Sequence, residues 1–247
     1  PRRTGEPVRV LFGAPLPSTT AADTVRRAVQ ELTVHAFELR KARQRPLAIE
    51  WIRTAKRFWR RPFVADGSGQ VLRFGQAMVQ ALGMRKGLFG DASSDDRLGI
   101  LLPQGIPAVL ANLATMCAGR PLINLELEST RDRLRRQIEA AQLTRVLTSR
   151  RWQSDSPVSD VLDKVDVCYV EDLPRSPGPA VALACRLLPQ ALVARWFAWG
   201  DRTDVDREAA VVFSHAPRLA DTAGGVVLSH HNVLSNLESL KQVFSIS

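Results

Sequence analysis

Between residues 97 and 170, short apolar segments alternate with helix-like segments, and this alternation constrains the fold more than any other feature of the sequence. Residues 98–102 form a continuous apolar run, as expected of a strand that is buried on both faces. The pattern predicts strands at 98–102, 120–125, 145–148 and 166–170, with helices at 104–118, 130–141 and near 157–164. Such alternation predicts an α/β fold with a mostly parallel, doubly wound sheet and right-handed crossovers.

Flanking segments extend the pattern in both directions. Towards the amino end, the sequence predicts a strand at 8–12, helices at 21–42 and from Pro46, a hairpin of strands 62–65 and 70–74, and a helix at 75–86. Towards the carboxyl end, it predicts strands at 209–213 and 226–228 and a helix at 232–244. Residues 174–208 are Pro-rich and then mixed apolar and charged, and they allow no clear assignment.

The excess positive charge of the chain is confined to its first quarter. The 247 residues carry a net charge of +9, and the first 63 account for all of it, with 14 Lys and Arg against 5 Asp and Glu. Residues 40–61 hold nine of these cations and one acid, interleaved with Trp51, Phe58 and Trp59. Two interpretations remain open: an interfacial helix on anionic lipid, or a linker helix whose apolar side packs on the following domain. The charge accompanies no RNA-binding motif, so no nucleic-acid partner is predicted.

The cysteines and histidines predict no metal site. The three cysteines are far apart and give neither a disulfide framework nor zinc-ligand spacing, which favours a reducing, cytoplasmic setting. His215, His230 and His231 have no Asp, Glu or Cys at ligand spacing. The apolar stretch 98–119 is broken by prolines near its start, so it is not predicted to span a membrane. The aromatic cluster at 196–199 either lines an acyl channel, touches a membrane or belongs to the core.

The last forty residues carry the most specific motif. Residues 209–214 read AAVVFS, and after an irregular segment residues 224–232 read GGVVLSHHN, which gives strand, loop, strand and helix start. This order resembles the phosphate-loop core of the adenylate-forming (AMP-binding) superfamily. There, a loop rich in Gly, Ser and Thr precedes Pro-Lys-Gly-Val and then Ser/Thr-His-x-Asn. Small residues in such loops let N–H groups and hydroxyls approach a triphosphate, and the Lys adds a cation.

Three upstream segments resemble the same superfamily and occur in the correct order. They are DRLGILLPQ at 96–104, AGRPLIN at 118–124 and IEAAQLTRVLT at 138–148. The resemblance implies that residues 64–247 form the N-terminal part of an acyl-activating domain.

The resemblance also implies ATP and Mg²⁺ as cofactors, with Ser214 and Gly225 as the residues that contact the nucleotide. No residue of this chain is assigned a catalytic role. The loop departs from the superfamily pattern, because residues 214–223 contain no glycine and Gly224 stands where the family has its Lys. A loop without glycines cannot follow a phosphate as closely. Nucleotide binding and a vestigial connection between two strands therefore remain as alternatives.

The amino-terminal residues carry a second resemblance. VRVLFGAPLP at 8–17 and the helix after it resemble the end of a glycerolipid acyltransferase domain. The catalytic signature of those domains is His-x4-Asp, in which the Asp orients the His as a base. None of the four histidines matches it, so an acyltransferase site would lie before residue 1.

Both resemblances together match the family of bifunctional bacterial 2-acylglycerophosphoethanolamine acyltransferase/acyl-[acyl-carrier-protein] synthetases. That match implies an acyltransferase tail at 1–45, a basic amphipathic linker helix at 46–63 and a truncated acyl-activating domain at 64–247. It implies an ATP-dependent long-chain fatty acid ligase coupled to lysophospholipid acylation. The implied partners are fatty acid, acyl carrier protein, lysophospholipid and an anionic membrane surface.

The same match implies a location at the cytoplasmic face of the inner membrane or in the cytoplasm, with this segment inactive on its own. A different class of function stays open beside it. In that alternative, the chain is a catalytically degenerate adenylation fold that docks a carrier protein or a membrane.

Overall fold

The chain folds into two compact units, Pro1–Gln44 and Arg45–Ser247. The computed structural model describes residues 10–42, 44–90, 96–155, 159–174, 176–198, 203–213 and 225–243. The helices are α1 (Ala22–Lys41), α2 (Leu47–Arg57), α3 (Phe74–Phe89), α4 (Ile106–Cys117), α5 (Arg131–Ala140), α6 (Arg150–Asp155), α7 (Pro179–Leu187), α8 (Gln190–Phe197) and α9 (His230–Val243). The strands are β1 (Pro62–Ala65), β2 (Val71–Arg73), β3 (Leu98–Ile100), β4 (Leu122–Asn124), β5 (Arg145–Thr148), β6 (Asp166–Tyr169), β7 (Glu208–Val212) and β8 (Val226–Ser229).

The first unit contains α1, which confirms the helix predicted at 21–42. The strand predicted at 8–12 is wrong in its described part, because residues 10–12 have no regular structure. Residues 8 and 9 lie outside the described part of the chain. A strand needs a paired neighbour to satisfy its N–H and C=O groups, and the described residues of this unit contain no second strand.

The second unit is built on a six-stranded sheet with the order β6-β5-β3-β4-β7-β8. The pairs β5–β6, β3–β5, β3–β4 and β4–β7 are parallel, and only β7–β8 is antiparallel. The mostly parallel, doubly wound α/β fold is therefore confirmed. The strands β1 and β2 form a separate antiparallel hairpin, also as predicted.

Apolar side chains that alternate along the strands divide the core between the two faces of the sheet. Leu98, Ile100 and Leu147 pack on one face with α3 and α4. Their neighbours Leu101 and Val146 pack on the other face, with α5 and the 3-10 helix Ser159–Lys164. The chain therefore leaves β3 towards one face and leaves β4 and β5 towards the other. In open α/β sheets, ligands bind outside the carboxyl ends of the strands, where the connections diverge in this way.

A third apolar cluster, which we call the outer apolar cluster, lies on the side of α3 that faces away from the sheet. It joins α2, α7 and α8 to that helix. It contains Ile52 of α2, Met78 and Leu82 of α3, Cys185 of α7 and Val193 of α8. Helix α3 is buried on most sides because it packs both towards the sheet and towards this outer layer. Both α7 and α8 fall in the segment 174–208, to which the sequence analysis assigned no structure.

Two smaller differences from the predicted elements have local causes. The helix predicted near 157–164 is a 3-10 helix in its described part, 159–164, and a short helix α6 precedes it. Helix α9 begins at His230 instead of Asn232, because Ser229 provides the cap. Among the described residues, no helix combines the length and the apolar character needed to cross a bilayer.

Candidate functional site

The candidate site lies where the connection between β7 and β8 leaves the carboxyl end of the parallel sheet. Val211 of β7 pairs with Ile123 of β4 on one side and with Val227 of β8 on the other. Phe213 follows β7 and is half-buried against the core cluster that also holds Val211. The connection therefore starts next to β4, at the edge where the fold class places ligands.

The two residues predicted to contact a nucleotide have different outcomes. Ser214 lies outside the described residues, together with 215–224, so its predicted role stays a prediction. Gly225 is described, and its backbone lies close to β7. A Cβ atom at this position would be 2.5 Å from Val211 Cγ1 and 3.1 Å from Phe213 Cε1. The packing on β7 therefore leaves no room for a side chain at residue 225, whether or not a phosphate is bound.

The start of α9 is fixed by a reciprocal pair of hydrogen bonds. The Asn232 N–H donates to Ser229 Oγ at 3.2 Å, and the Ser229 N–H donates to Asn232 Oδ1 at 2.9 Å. Each side chain thus satisfies a backbone donor that the first turn of a helix leaves open. In this structure, the Ser-His-His-Asn run closes the end of β8 and starts the helix.

His230 connects this helix start to α2. Its Nδ1 accepts a hydrogen bond from the Leu47 N–H at 3.3 Å. Burial and the nearby Arg207 lower the pKa of His230, against an opposing effect of Asp204. A lowered pKa favours the neutral ring, which is the form in which Nδ1 can accept a hydrogen bond. His230 is the first residue of α9, so this hydrogen bond links the helix start to α2.

Charged side chains at the carboxyl ends of β5 and β6 hold these two strands together. Ser149 Oγ donates to Glu171 at 2.6 Å, and Arg150 Nη1 donates to Asp172 Oδ1 at 2.7 Å. The hydrogen bond from Arg150 lowers the pKa of Asp172, and its positive charge adds to the effect. The Arg150 guanidinium also lies 4.3 Å from the centroid of the Tyr169 ring. Arg150 and Asp172 neutralise each other and Glu171 accepts the Ser149 hydroxyl, so these groups have structural partners that join β5 to β6.

Sequence reasoning missed the polar groups that lie at the carboxyl ends of β4 and β5. Asn124, at the end of β4, and Asn112 of α4 donate to each other through their amides, at 3.0 Å in both directions. The Thr148 hydroxyl at the end of β5 is fully buried and has no hydrogen-bond partner in the described part of the chain. A polar residue that closes an apolar strand was the available signal, and it was visible at both positions.

The aromatic residues singled out from the sequence are mostly part of the core. Trp51 packs on Phe63 and Phe74, with ring centroids 4.6 and 5.6 Å apart, and Trp59 belongs to the outer apolar cluster. Their packing supports the interpretation of α2 as a helix whose apolar side lies on the following structure. In the cluster 196–199, Trp196 is 54% exposed, Phe197 is partly buried, and Trp199 lies outside the described residues.

Comparison with known proteins identifies the fold. The sequence matches no protein-family profile and no curated protein. Solved structures do resemble it. The nonribosomal peptide synthetase FmoA3 with bound α-methyl-L-serine-AMP has a TM-score of 0.60 at 18% identity, over 82% of this chain and 20% of that one. The fatty acid AMP ligase from Legionella pneumophila has a TM-score of 0.57 at 14% identity, over 81% and 33%.

A third neighbour is the O-succinylbenzoate coenzyme A synthetase MenE from Bacillus subtilis, in complex with AMP. It has a TM-score of 0.58 at 15% identity, over 80% of this chain and 46% of that one. These neighbours are adenylate-forming enzymes, and the present chain spans between a fifth and about half of their lengths. At these identities the likeness establishes the fold alone: the chain shares with these adenylate-forming enzymes a mixed α/β architecture with a mostly parallel sheet flanked by helices.

Proposed function

We propose that this chain is part of an ATP-dependent ligase that converts a long-chain fatty acid to its acyl adenylate and passes the acyl group to acyl carrier protein. The observation that carries the proposal is the placement of the β7–β8 connection. It leaves the carboxyl edge of an adenylate-forming fold and is followed by a strand and a capped helix. The sequence motifs around it have the order that this superfamily uses.

The proposal for the whole protein includes the coupled step in which a lysophospholipid accepts the acyl group. That step would belong to an acyltransferase domain of which residues 1–45 form the tail. It would place the protein in the cytoplasm or at the cytoplasmic face of the inner membrane, next to an anionic lipid surface. The fatty acid AMP ligase among the structural neighbours supports a fatty acid as the substrate class.

The described residues do not by themselves form a triphosphate site. Gly225 is accounted for by its packing on Val211. The residues described directly after β3, β4 and β7, at 101–105, 125–127 and 213, include no Lys or Arg, and Arg150 after β5 is paired with Asp172. A triphosphate needs cations or convergent N–H groups to compensate its charge. The described edge therefore positions the elements on either side of the loop. The groups that donate hydrogen bonds to phosphate would have to come from residues 214–224 or from elsewhere in the protein.

The same observations favour a second candidate, a degenerate adenylation fold that docks acyl carrier protein or a membrane. This candidate needs the fold and its surface but no nucleotide. It predicts that acyl carrier protein binds equally well with and without ATP. It also predicts that Gly224→Lys, which restores the family's cation, creates no nucleotide binding.

Fatty-acid-dependent exchange of pyrophosphate into ATP separates the two candidates. The assay uses the protein as it is expressed from its gene, with acyl carrier protein omitted. The ligase proposal expects exchange above background that falls at least about tenfold in Ser214→Ala, since one charge-assisted contact is typically worth that much. Ser239→Ala, which removes a hydroxyl from exposed helix surface, is the matched control. Absence of exchange from folded wild-type protein would reject the ligase.

A further inference from the structure

A groove lined by arginines lies on the second unit, and it shares no residue with the carboxyl edge of the sheet. Its two compartments have volumes of about 730 and 360 Å³ and share Trp59, Arg60 and Arg186. We call it the basic groove. Its cations are Lys56, Arg57, Arg60, Arg61, Arg73 and Arg186.

Elements that are far apart in the sequence build this groove. Lys56 of α2 donates through Nζ to the carbonyl oxygens of Cys185, Arg186 and Leu188, at 2.7, 3.1 and 2.6 Å. These carbonyls end α7, where a cation is favourable because of the helix dipole. The contact ties the end of α7 to α2 and so places Arg186 beside the cations at residues 56–61.

Aromatic packing holds the other side of the groove. The ring of Trp59 lies directly against Gly75 at the start of α3, where any side chain would collide with it. This packing brings Arg60 and the β2 residue Arg73 to the same compartment. Two further guanidinium groups, those of Arg57 and Arg61, lie 5.2 and 5.0 Å from the centroid of the Phe58 ring. The backbone positions that carry these cations are therefore fixed by the packing of neighbouring residues, while the guanidinium groups themselves are exposed.

The electrostatics of the groove favour an anion with more than one negative charge. No Asp or Glu lines either compartment in the part of the chain that the structure describes. The five arginines are exposed and crowded, and like charges at short range repel one another. Phosphate groups carry about two charges and three acceptor oxygens, and the planar guanidinium fork matches them with paired hydrogen bonds. A single carboxylate would leave most of these donors unused.

We propose that the basic groove binds a ligand through a phosphate or diphosphate group. Gln76, Gln80 and Ser176 line the larger compartment and provide neutral hydrogen-bonding groups beside the guanidinium groups. The phosphate has two possible sources, a soluble phosphate compound or a lipid headgroup. The aromatic side of α2 is packed inside the unit, so a lipid would be held through its headgroup and not by inserted Trp side chains. The proposal is independent of nucleotide binding at the β7–β8 connection.

The test compares two double variants of the full chain that change the net charge equally. Arg60→Gln with Arg186→Gln removes two cations from the groove. Arg53→Gln with Arg195→Gln removes two exposed arginines of α2 and α8 that line neither compartment. Pyrophosphate binding is measured by calorimetry at constant ionic strength, together with the rise in melting temperature that it causes. Binding to vesicles of phosphatidylglycerol and phosphatidylcholine, against phosphatidylcholine alone, forms the second arm.

We expect wild type and the control variant to bind pyrophosphate, anionic vesicles or both, and the groove variant to bind at least about tenfold more weakly. Loss in the pyrophosphate arm identifies a soluble ligand, and loss in the vesicle arm alone identifies a lipid headgroup. Equal binding by all three proteins in both arms would overturn the proposal, as would absence of binding by the wild type. If the groove variant melts differently without ligand, the single variant Arg73→Gln replaces it, because this side chain is exposed on β2.

Discussion

Substitution of Gly225 by Ala tests whether this glycine is present for packing or for phosphate binding. The added Cβ would lie 2.5 Å from Val211 Cγ1 and 3.1 Å from Phe213 Cε1. Val211 is only 5% exposed and belongs to the core cluster beneath the sheet, so it has little room to move. Overpacking of this kind costs about 1–3 kcal/mol of unfolding free energy. We expect that loss without any nucleotide present.

A second substitution relieves the collision and makes the prediction quantitative. Val211→Ala alone removes two methyl groups from the core, which costs about 1.6 kcal/mol at ~0.8 kcal/mol for each group, plus a contribution from the cavity. In the double variant Gly225→Ala with Val211→Ala, the new methyl group occupies space that Cγ1 has left. The double variant should therefore be about 1–2 kcal/mol more stable than the sum of the single variants predicts.

Urea denaturation followed by tryptophan fluorescence measures the unfolding free energy of the second unit, because all five tryptophans lie after residue 50. A control cycle pairs Gly225→Ala with Val212→Ala, whose side chain is 50% exposed on the same strand. Its two effects should add within about 0.5 kcal/mol. Additivity in the Val211 cycle, or a neutral Gly225→Ala, would refute the packing explanation.

Three further predictions follow from contacts elsewhere in the second unit. Lys56→Met should lower the unfolding free energy by about 2–3 kcal/mol, because three carbonyl oxygens lose a charged donor; denaturation of Arg53→Gln provides the control. The pKa of His230 is lowered in the folded chain and has its ordinary value of about 6.5 in the unfolded chain. Between these two values His230 is protonated in the unfolded chain but neutral in the folded chain, so stability should fall as pH falls through this window. His230→Asn keeps an acceptor for the Leu47 N–H and should remove that slope, and a slope that persists would contradict the assignment. Burial raises the pKa of Cys117 to about 12, so iodoacetamide should modify it far more slowly than the partly exposed Cys168, as peptide mass spectrometry would show.

The parallel sheet was predictable because its strands are buried on both faces. The apolar run 98–102, and the run 145–148 with Val146 and Leu147 at its centre, are typical of strands in a covered sheet when helices separate them. The boundaries of β5 agree with the prediction, whereas β3 is shorter by two residues at its carboxyl end. Leu101 and Leu102 remain buried in the core, so apolar character marks burial and does not mark the end of hydrogen-bonded pairing.

Helices α7 and α8 were not predictable, because tertiary contacts decide their structure. Each has nine residues or fewer, and helices of that length are marginal without packing. Their buried residues Cys185 and Val193 share an apolar cluster with residues of α2 and α3, which lie more than ninety positions earlier in the chain. The strand predicted at 8–12 is wrong in its described part, residues 10–12, because a strand also depends on tertiary contacts. Its alternating pattern is suitable for a sheet, but no partner strand is available in the described part of the first unit.

The two alternatives for the basic residues 40–61 were also undecidable from the sequence. An amphipathic pattern indicates that one side of a helix is apolar, but it does not indicate what covers that side. In the structure, Trp51 and Trp59 pack on the hairpin and α3, which leaves the cations exposed around a groove. The aromatic side chains thus pack inside the unit and the cations line the groove, although the two together suggested a lipid surface.

Gly225 shows why a motif match and a nucleotide site are different claims. The same residue fits the phosphate-loop pattern and is required by the approach of β8 to β7. A chain that had lost nucleotide binding would keep this glycine, because the β7–β8 pair would still need it. The fold, the capped helix and Gly225 are therefore expected of both the ligase and the degenerate module. The two candidates differ in whether residues 214–224, or other parts of the protein, supply groups that bind phosphate, so pyrophosphate exchange, and not further structural similarity, decides between them.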